Sequence, residues 1–172
     1  GGGFWGFFFP LVWCVGGGGW ATTGRGTQAG LVPHDGAMRL IDELLAADDT
    51  QCVARATVRS TQLFVDDAGM PAWIGIEYMA QTIAAWAGMQ ARGKGCKPGP
   101  GFLLGSRRYA SDVPAFPVGS VLTIRARLEM AGDDGLSLFA CTLDMGGQEV
   151  ARATVSVYRP ADAQAFLEGQ QT

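Results

Sequence analysis

Between residues 51 and 60 apolar and polar positions alternate: Cys52, Ala54, Ala56 and Val58 fall on one side, with Val53, Arg55, Thr57 and Arg59 on the other. Period two with one polar face predicts a half-buried strand. The pattern returns at residues 121–130, where Leu122, Ile124, Ala126 and Leu128 oppose Thr123, Arg125, Arg127 and Glu129. Residues 136–144 and 149–158 continue it as a meander. Gly132-Asp133-Asp134-Gly135 and the tight hairpin signal Gly146-Gly147 provide the turns, and Pro160 follows the last strand. Residues 102–109 read as another strand, with Arg107 and Arg108 on opposite faces. Residues 37–47 are open to strand or helix and end at Asp48-Asp49.

One stretch departs from this rhythm. Over residues 69–92, Ile76, Ala80, Ile83, Ala84 and Ala87 recur at helical spacing, and Met70-Pro71 suits the first turn of a helix. Small residues such as Ala80, Ala84 and Gly88 let another backbone come close, so the helix is built to be surrounded. Glu77 and Gln81 lie four apart and share a face. Composition leaves two readings of Glu77: a helix-start charge favoured by the macrodipole, or a working carboxylate inside an apolar helix. Residues 61–69 and the Gly- and Pro-rich run 93–101 are connections. One long helix against an antiparallel sheet of five or six strands makes an α+β domain.

Length and charge narrow the function. A chain of 172 residues with net charge −3 supports one core, and its charge argues against nucleic acid as a partner. Cys14, Cys52, Cys96 and Cys141 lack the C-x-x-C spacing of a zinc site, so a reduced, cytoplasmic protein is expected, with no metal and no redox cofactor. The single histidine, His34, is the one imidazole base the chain can supply by itself. Residues 1–30 form an atypical Gly- and aromatic-rich extension without an initial Met, read as an extended or misassigned start or a gene fragment. Its apolar run 4–15 is about half the span of a membrane helix and is interrupted by Pro10, so a membrane-interface anchor is the lesser reading. The domain proper is expected over residues 31–160, and residues 161–172 are a tail.

Three separated stretches carry a family resemblance. Pro33-His34-Asp35-Gly36-Ala37-Met38-Arg39-Leu40-Ile41-Asp42 is similar to the P-H-x-x-P-[FM]-x-L-[IV]-D pattern of the hotdog-fold 3-hydroxyacyl-ACP dehydratases of fatty-acid synthesis. Met70-Pro71-Ala72-Trp73-Ile74-Gly75-Ile76-Glu77-Tyr78-Met79-Ala80-Gln81 resembles their helix start, M-P-G-x-x-x-x-E-A-M-A-Q. The P-A-W-I-G-I-E-Y-M-A-Q wording of that helix, with G-F-L-L-G-S-R-R-Y at residues 101–109, most resembles the dehydratase-like hotdog proteins of aryl-polyene gene clusters. The likeness spans nearly all of residues 31–160 and implies a hotdog fold, with a strand in the first half of residues 37–47. One position departs: the fatty-acid enzymes carry their catalytic histidine in G-H-F-P, fourteen residues before the helix Glu, and that count falls on Leu63.

The resemblance implies dehydration of 3-hydroxyacyl thioesters on an acyl carrier protein, at a site formed in a homodimer or a heterodimer with another hotdog dehydratase. Such a reaction needs a base near neutral pKa to take a proton from C2 and an acid to protonate the oxygen leaving C3. His34 is assigned the base role and Glu77 the acid or water-positioning role; a histidine that merely fixes the Pro33–Gly36 turn is the alternative for His34. Backbone N–H groups near Ala72 and Trp73 at the helix start would receive the thioester oxygen, with Gln81 beside them. Arg107 and Arg108, in a local cluster with Arg92, Lys94 and Lys97, would meet the phosphopantetheine phosphate or an acidic carrier, or form a solvated basic face. A hotdog thioesterase using Glu77 to activate water, and a non-catalytic partner of a second dehydratase, are the rival functions.

Overall fold

A computed structural model of the chain describes residues 39–95 and 101–160. The expectations for residues 1–30, His34, Lys97 and residues 161–172 lie outside the described residues. In chain order come β1 (Glu43–Ala47), β2 (Gln51–Thr57), β3 (Met70–Pro71), a 3-10 turn (Ala72–Ile74), α1 (Gly75–Gly93), β4 (Phe102–Ser111), β5 (Ala115–Phe116), β6 (Val121–Ala131), β7 (Leu136–Met145) and β8 (Gln148–Tyr158). Six strands form one antiparallel sheet in the order β1-β2-β6-β7-β8-β4.

The alternating residues make this sheet one-sided. Cys52, Ala54, Ala56 and Val58 are all buried, as are Leu122, Ile124 and Ala126 of β6 and Leu143 of β7. Each fully buried Leu or Ile contributes roughly 1.5–3 kcal/mol of transfer free energy. Helix α1 packs on this face against β2, β6, β7 and β8. Every residue from Tyr78 to Ala85 is buried, more than two turns enclosed all round. The alanines of β2 and of α1 let the helix sit close to the sheet. Within the enclosed turns, Thr82 donates its hydroxyl to the Tyr78 carbonyl at 2.8 Å, so that polar group carries no desolvation penalty. The helix ends where Gly95 adopts φ +68° and its N–H returns to the Arg92 carbonyl at 2.9 Å. One long helix enclosed by a six-stranded antiparallel sheet is the α+β hotdog architecture that the resemblance implies.

Three local expectations are corrected. Met70-Pro71 does not begin the helix; it forms β3, paired with β5 through Met70↔Phe116 and Pro71↔Ala115. Pro71 has φ −54° and ψ 136°, an extended conformation, and the helical turns start only at Ala72. In residues 37–47 the strand occupies the second half. Leu40 and Ile41 turn into the core instead, and Asp42 accepts the Thr57 N–H at 2.8 Å just before pairing with β2 begins. Arg107 and Arg108 are both exposed, and their alternation is broken by a bulge between Arg107 and Ala110, with Arg108 at φ +59°.

The small β3–β5 pairing sets where the helix begins. Met70 and Phe116 are completely buried, and the Tyr78 ring meets Phe116 edge-on at 6.3 Å. Gly69, at φ +110°, lies so close to the Phe116 carbonyl that a β-carbon there would overlap backbone. Gly69→Ala is therefore expected to cost about 2–3 kcal/mol, combining a strained backbone angle with that overlap. A lower midpoint in chemical denaturation checks it, and an unchanged midpoint would mean that the turn yields freely.

Candidate active site

The 3-10 turn and the first turn of α1 carry the predicted chemistry. Glu77 stands in that first turn and is half-buried, where a helix start favours negative charge. Its Oε1 accepts a hydrogen bond from Gln81 Nε2 at 2.9 Å. Gln81 is fully buried, and its own Oε1 accepts the Leu40 backbone N–H at 2.9 Å. One amide thus joins the helix carboxylate to the segment that follows His34 by six residues. Gln81 is expected to lie at the substrate; as placed it is fully buried, with its amide oxygen and nitrogen engaged by Leu40 and Glu77.

The expected oxyanion donors separate. The Ala72 N–H is already given to the Pro114 carbonyl at 3.0 Å, and the Ala72 carbonyl accepts the Tyr109 hydroxyl. Ala72 is therefore an anchored peptide, not a donor awaiting substrate. Trp73 follows it, exposed, with Phe64 meeting its ring edge-on at 5.5 Å. Phe64 sits at φ +70° in a loop tied by Gln62, whose side-chain oxygen accepts the Arg59 N–H at 2.9 Å. Leu63 and Phe64 are both exposed. The Leu63-Phe64 segment thus lies against the helix start and presents apolar side chains there.

Arg107 and Arg108 immediately precede Tyr109, so β4 brings them to the same end of the helix. Neither forms an ion pair with another described residue. Asp66-Asp67 lies in the exposed loop; Asp66 accepts the Ala68 N–H at 2.8 Å and closes the turn before Gly69. Burial pushes the Cys52 thiol up to about 12 and the Cys141 thiol well above its ordinary value, so neither is a thiolate nucleophile near neutral pH. Among the described residues no cluster of three His, Cys, Asp or Glu could hold a metal, and no helix is long and apolar enough to cross a membrane.

Sequence reading missed two parts of this arrangement. The Leu40–Gln81 bond joins residues 41 positions apart, and no local pattern announces it. Tyr109 closes the stretch 101–109, and Gly75, which faces it, lies inside the motif 70–81. A β-carbon on Gly75 would overlap the Tyr109 hydroxyl, so the two motifs are cut to fit each other.

Known proteins share this fold. The dehydratase heterocomplex ApeI:P from Xenorhabdus doucetiae contains a chain 26% identical, matched over 83% of this chain and 95% of its own length with a TM-score of 0.74. More distant likenesses show the fold alone. PaaI from the E. coli phenylacetic acid degradation operon is 14% identical over 67% of this chain and 81% of its own, with a TM-score of 0.53. Smu.793 of Streptococcus mutans, bound to acetyl CoA, is 14% identical over 74% and 94%, with a TM-score of 0.55. No curated protein matches the chain. Residues 27–168 match the family described as ApeP dehydratase, so this chain belongs to the ApeP-like dehydratases.

Proposed function

We propose that the protein dehydrates 3-hydroxyacyl thioesters carried by an acyl carrier protein to trans-2-enoyl thioesters, working as one half of a hotdog pair. The observation that carries this reading is Glu77, a carboxylate in the first turn of an enclosed helix, oriented by the buried Gln81 amide. In the proposed step His34 takes the C2 proton, the electron pair forms the C2–C3 double bond, and Glu77 protonates the hydroxyl leaving C3 as water. Trp73 is in the 3-10 turn, where the first N–H groups lack acceptors within the turn; its N–H is the donor proposed for the thioester oxygen. Arg107 and Arg108 are proposed to meet the carrier's phosphate.

Pairing with a second dehydratase chain is supported by two findings. The related ApeI:P proteins form a heterocomplex, and the Leu63-Phe64-Trp73 surface is apolar and exposed at the helix start. The aryl-polyene context of the motif resemblance fits a carrier-bound, growing polyunsaturated chain, and a cytoplasmic setting fits a carrier-bound substrate. The decisive experiment incubates a 3-hydroxyacyl carrier protein with this protein, alone and with a co-expressed second hotdog dehydratase. Loss of one water from the acyl group, read by intact-protein mass spectrometry, is expected and should be fastest for the pair. Release of free thiol without loss of water would favour thioester hydrolysis and defeat the proposal.

A further inference from the structure

We infer that Tyr109 is a positioning residue for the dehydration: it fixes the 3-10 turn ahead of α1 and, through that turn, the placement of Glu77. The inference rests on the role proposed for Glu77. Two features of β4 and two of the hydroxyl's surroundings converge on this contact. A bulge in β4 between Arg107 and Ala110 interrupts the strand's regular alternation immediately around Tyr109. Arg108, directly before it, is held at φ +59°, an unusual and costly angle for a residue with a β-carbon. The Tyr109 hydroxyl donates to the Ala72 carbonyl. Gly75 lacks the β-carbon that would occupy the position of that hydroxyl.

Ala72 is consequently pinned from two directions, one through each of its flanking peptide units. Pro114 holds its N–H side from the segment leading into β5, and Tyr109 holds its carbonyl side from β4. The chain just before Pro114 is itself anchored, since Ser111 Oγ donates to the Val113 carbonyl at 2.8 Å. Glu77 lies five positions after Ala72, little more than one helical turn, so a shift of the pinned residue moves the carboxylate. Burial pushes the Tyr109 phenol up to about 12, which keeps it a neutral donor throughout the range in which the enzyme would work. A phenylalanine would fill the same space yet leave the carbonyl unheld. The hydroxyl is therefore the part that tests the idea.

The test compares Tyr109→Phe, Gly75→Ala and a core control, Ile124→Val, in the enzyme pair on a 3-hydroxyacyl carrier protein. Tyr109→Phe is expected to lower kcat by about 10- to 100-fold, the size of effect produced by an ångström-scale misplacement, with KM within about twofold. The limb of its pH–rate profile that depends on Glu77 should also move. Gly75→Ala, which must displace the hydroxyl, should show the same signature and serves if the first variant does not fold. Ile124→Val weakens the core but should keep wild-type kcat. Wild-type kcat in Tyr109→Phe, a loss matched by Ile124→Val, or a change in KM alone would overturn the inference. Wild-type turnover by Glu77→Gln is a separate outcome that would defeat the proposed site itself.

Discussion

Glu77→Gln is expected to lower dehydration turnover by about 10²- to 10⁴-fold, the contribution typical of a positioned acid or base. The substitution is nearly isosteric, and the new amide can still turn an oxygen toward Gln81 Nε2, which donates to the native carboxylate at 2.9 Å. Stability should therefore change by less than about 1 kcal/mol, since the hydrogen bond survives while its charge is lost. Substrate affinity should also persist, because the variant removes a proton donor and not a binding surface. A steady-state assay of the pair and a denaturation curve of the variant separate these claims. Turnover near wild type would show that water is expelled without Glu77, and a large loss of stability would show that the charge serves the fold.

The parts of the fold that were legible in the sequence share one cause. In β2 and β6 one face is buried and the other wet, so Ala54, Ile124 and their neighbours had to alternate with polar residues. The central helix was legible because its alanines and isoleucines recur at helical spacing and its enclosure leaves few charges. The β3–β5 pairing was not legible, since two-residue strands are too short to show a period, and Met70-Pro71 also satisfies the rule for a helix start. The bulge at Arg107 was hidden for a similar reason: one extra residue in a strand leaves no mark on composition.

The site divides along the same line. Glu77 could be singled out because a carboxylate is conspicuous among alanines, and the motif resemblance gave it a meaning. Gln81 was singled out by its spacing from Glu77, but its burial depends on Leu40, which only folding brings near. Ala72 was chosen for its place at a helix start, and a carbonyl from Pro114, 42 positions away, takes its N–H. Spacing along the chain thus identified which residues are unusual, while tertiary contacts decided which of their atoms are available.

The Gln81 bridge supports the largest stability prediction. Gln81→Leu keeps nearly the same volume, so little cavity is expected and the loss falls on hydrogen bonding. The Leu40 N–H, in a residue only 5% exposed, would be left without its acceptor, at about 1–3 kcal/mol. The Glu77 carboxylate would lose a donor, and a bond to a charged group contributes about 1.5–3 kcal/mol. Together about 3–5 kcal/mol is expected, a large fraction of the roughly 5–15 kcal/mol that holds a domain of this size together. Combining Gln81→Leu with Glu77→Gln separates the two parts. The Leu40 share should survive unchanged in the Glu77→Gln background, while the charge-dependent share should shrink. Purely additive midpoints would mean that the amide serves Leu40 alone. A loss of turnover in Gln81→Leu exceeding its loss of folded protein would mark the bridge as the link through which the sheet-side segment and the helix carboxylate are held in one geometry.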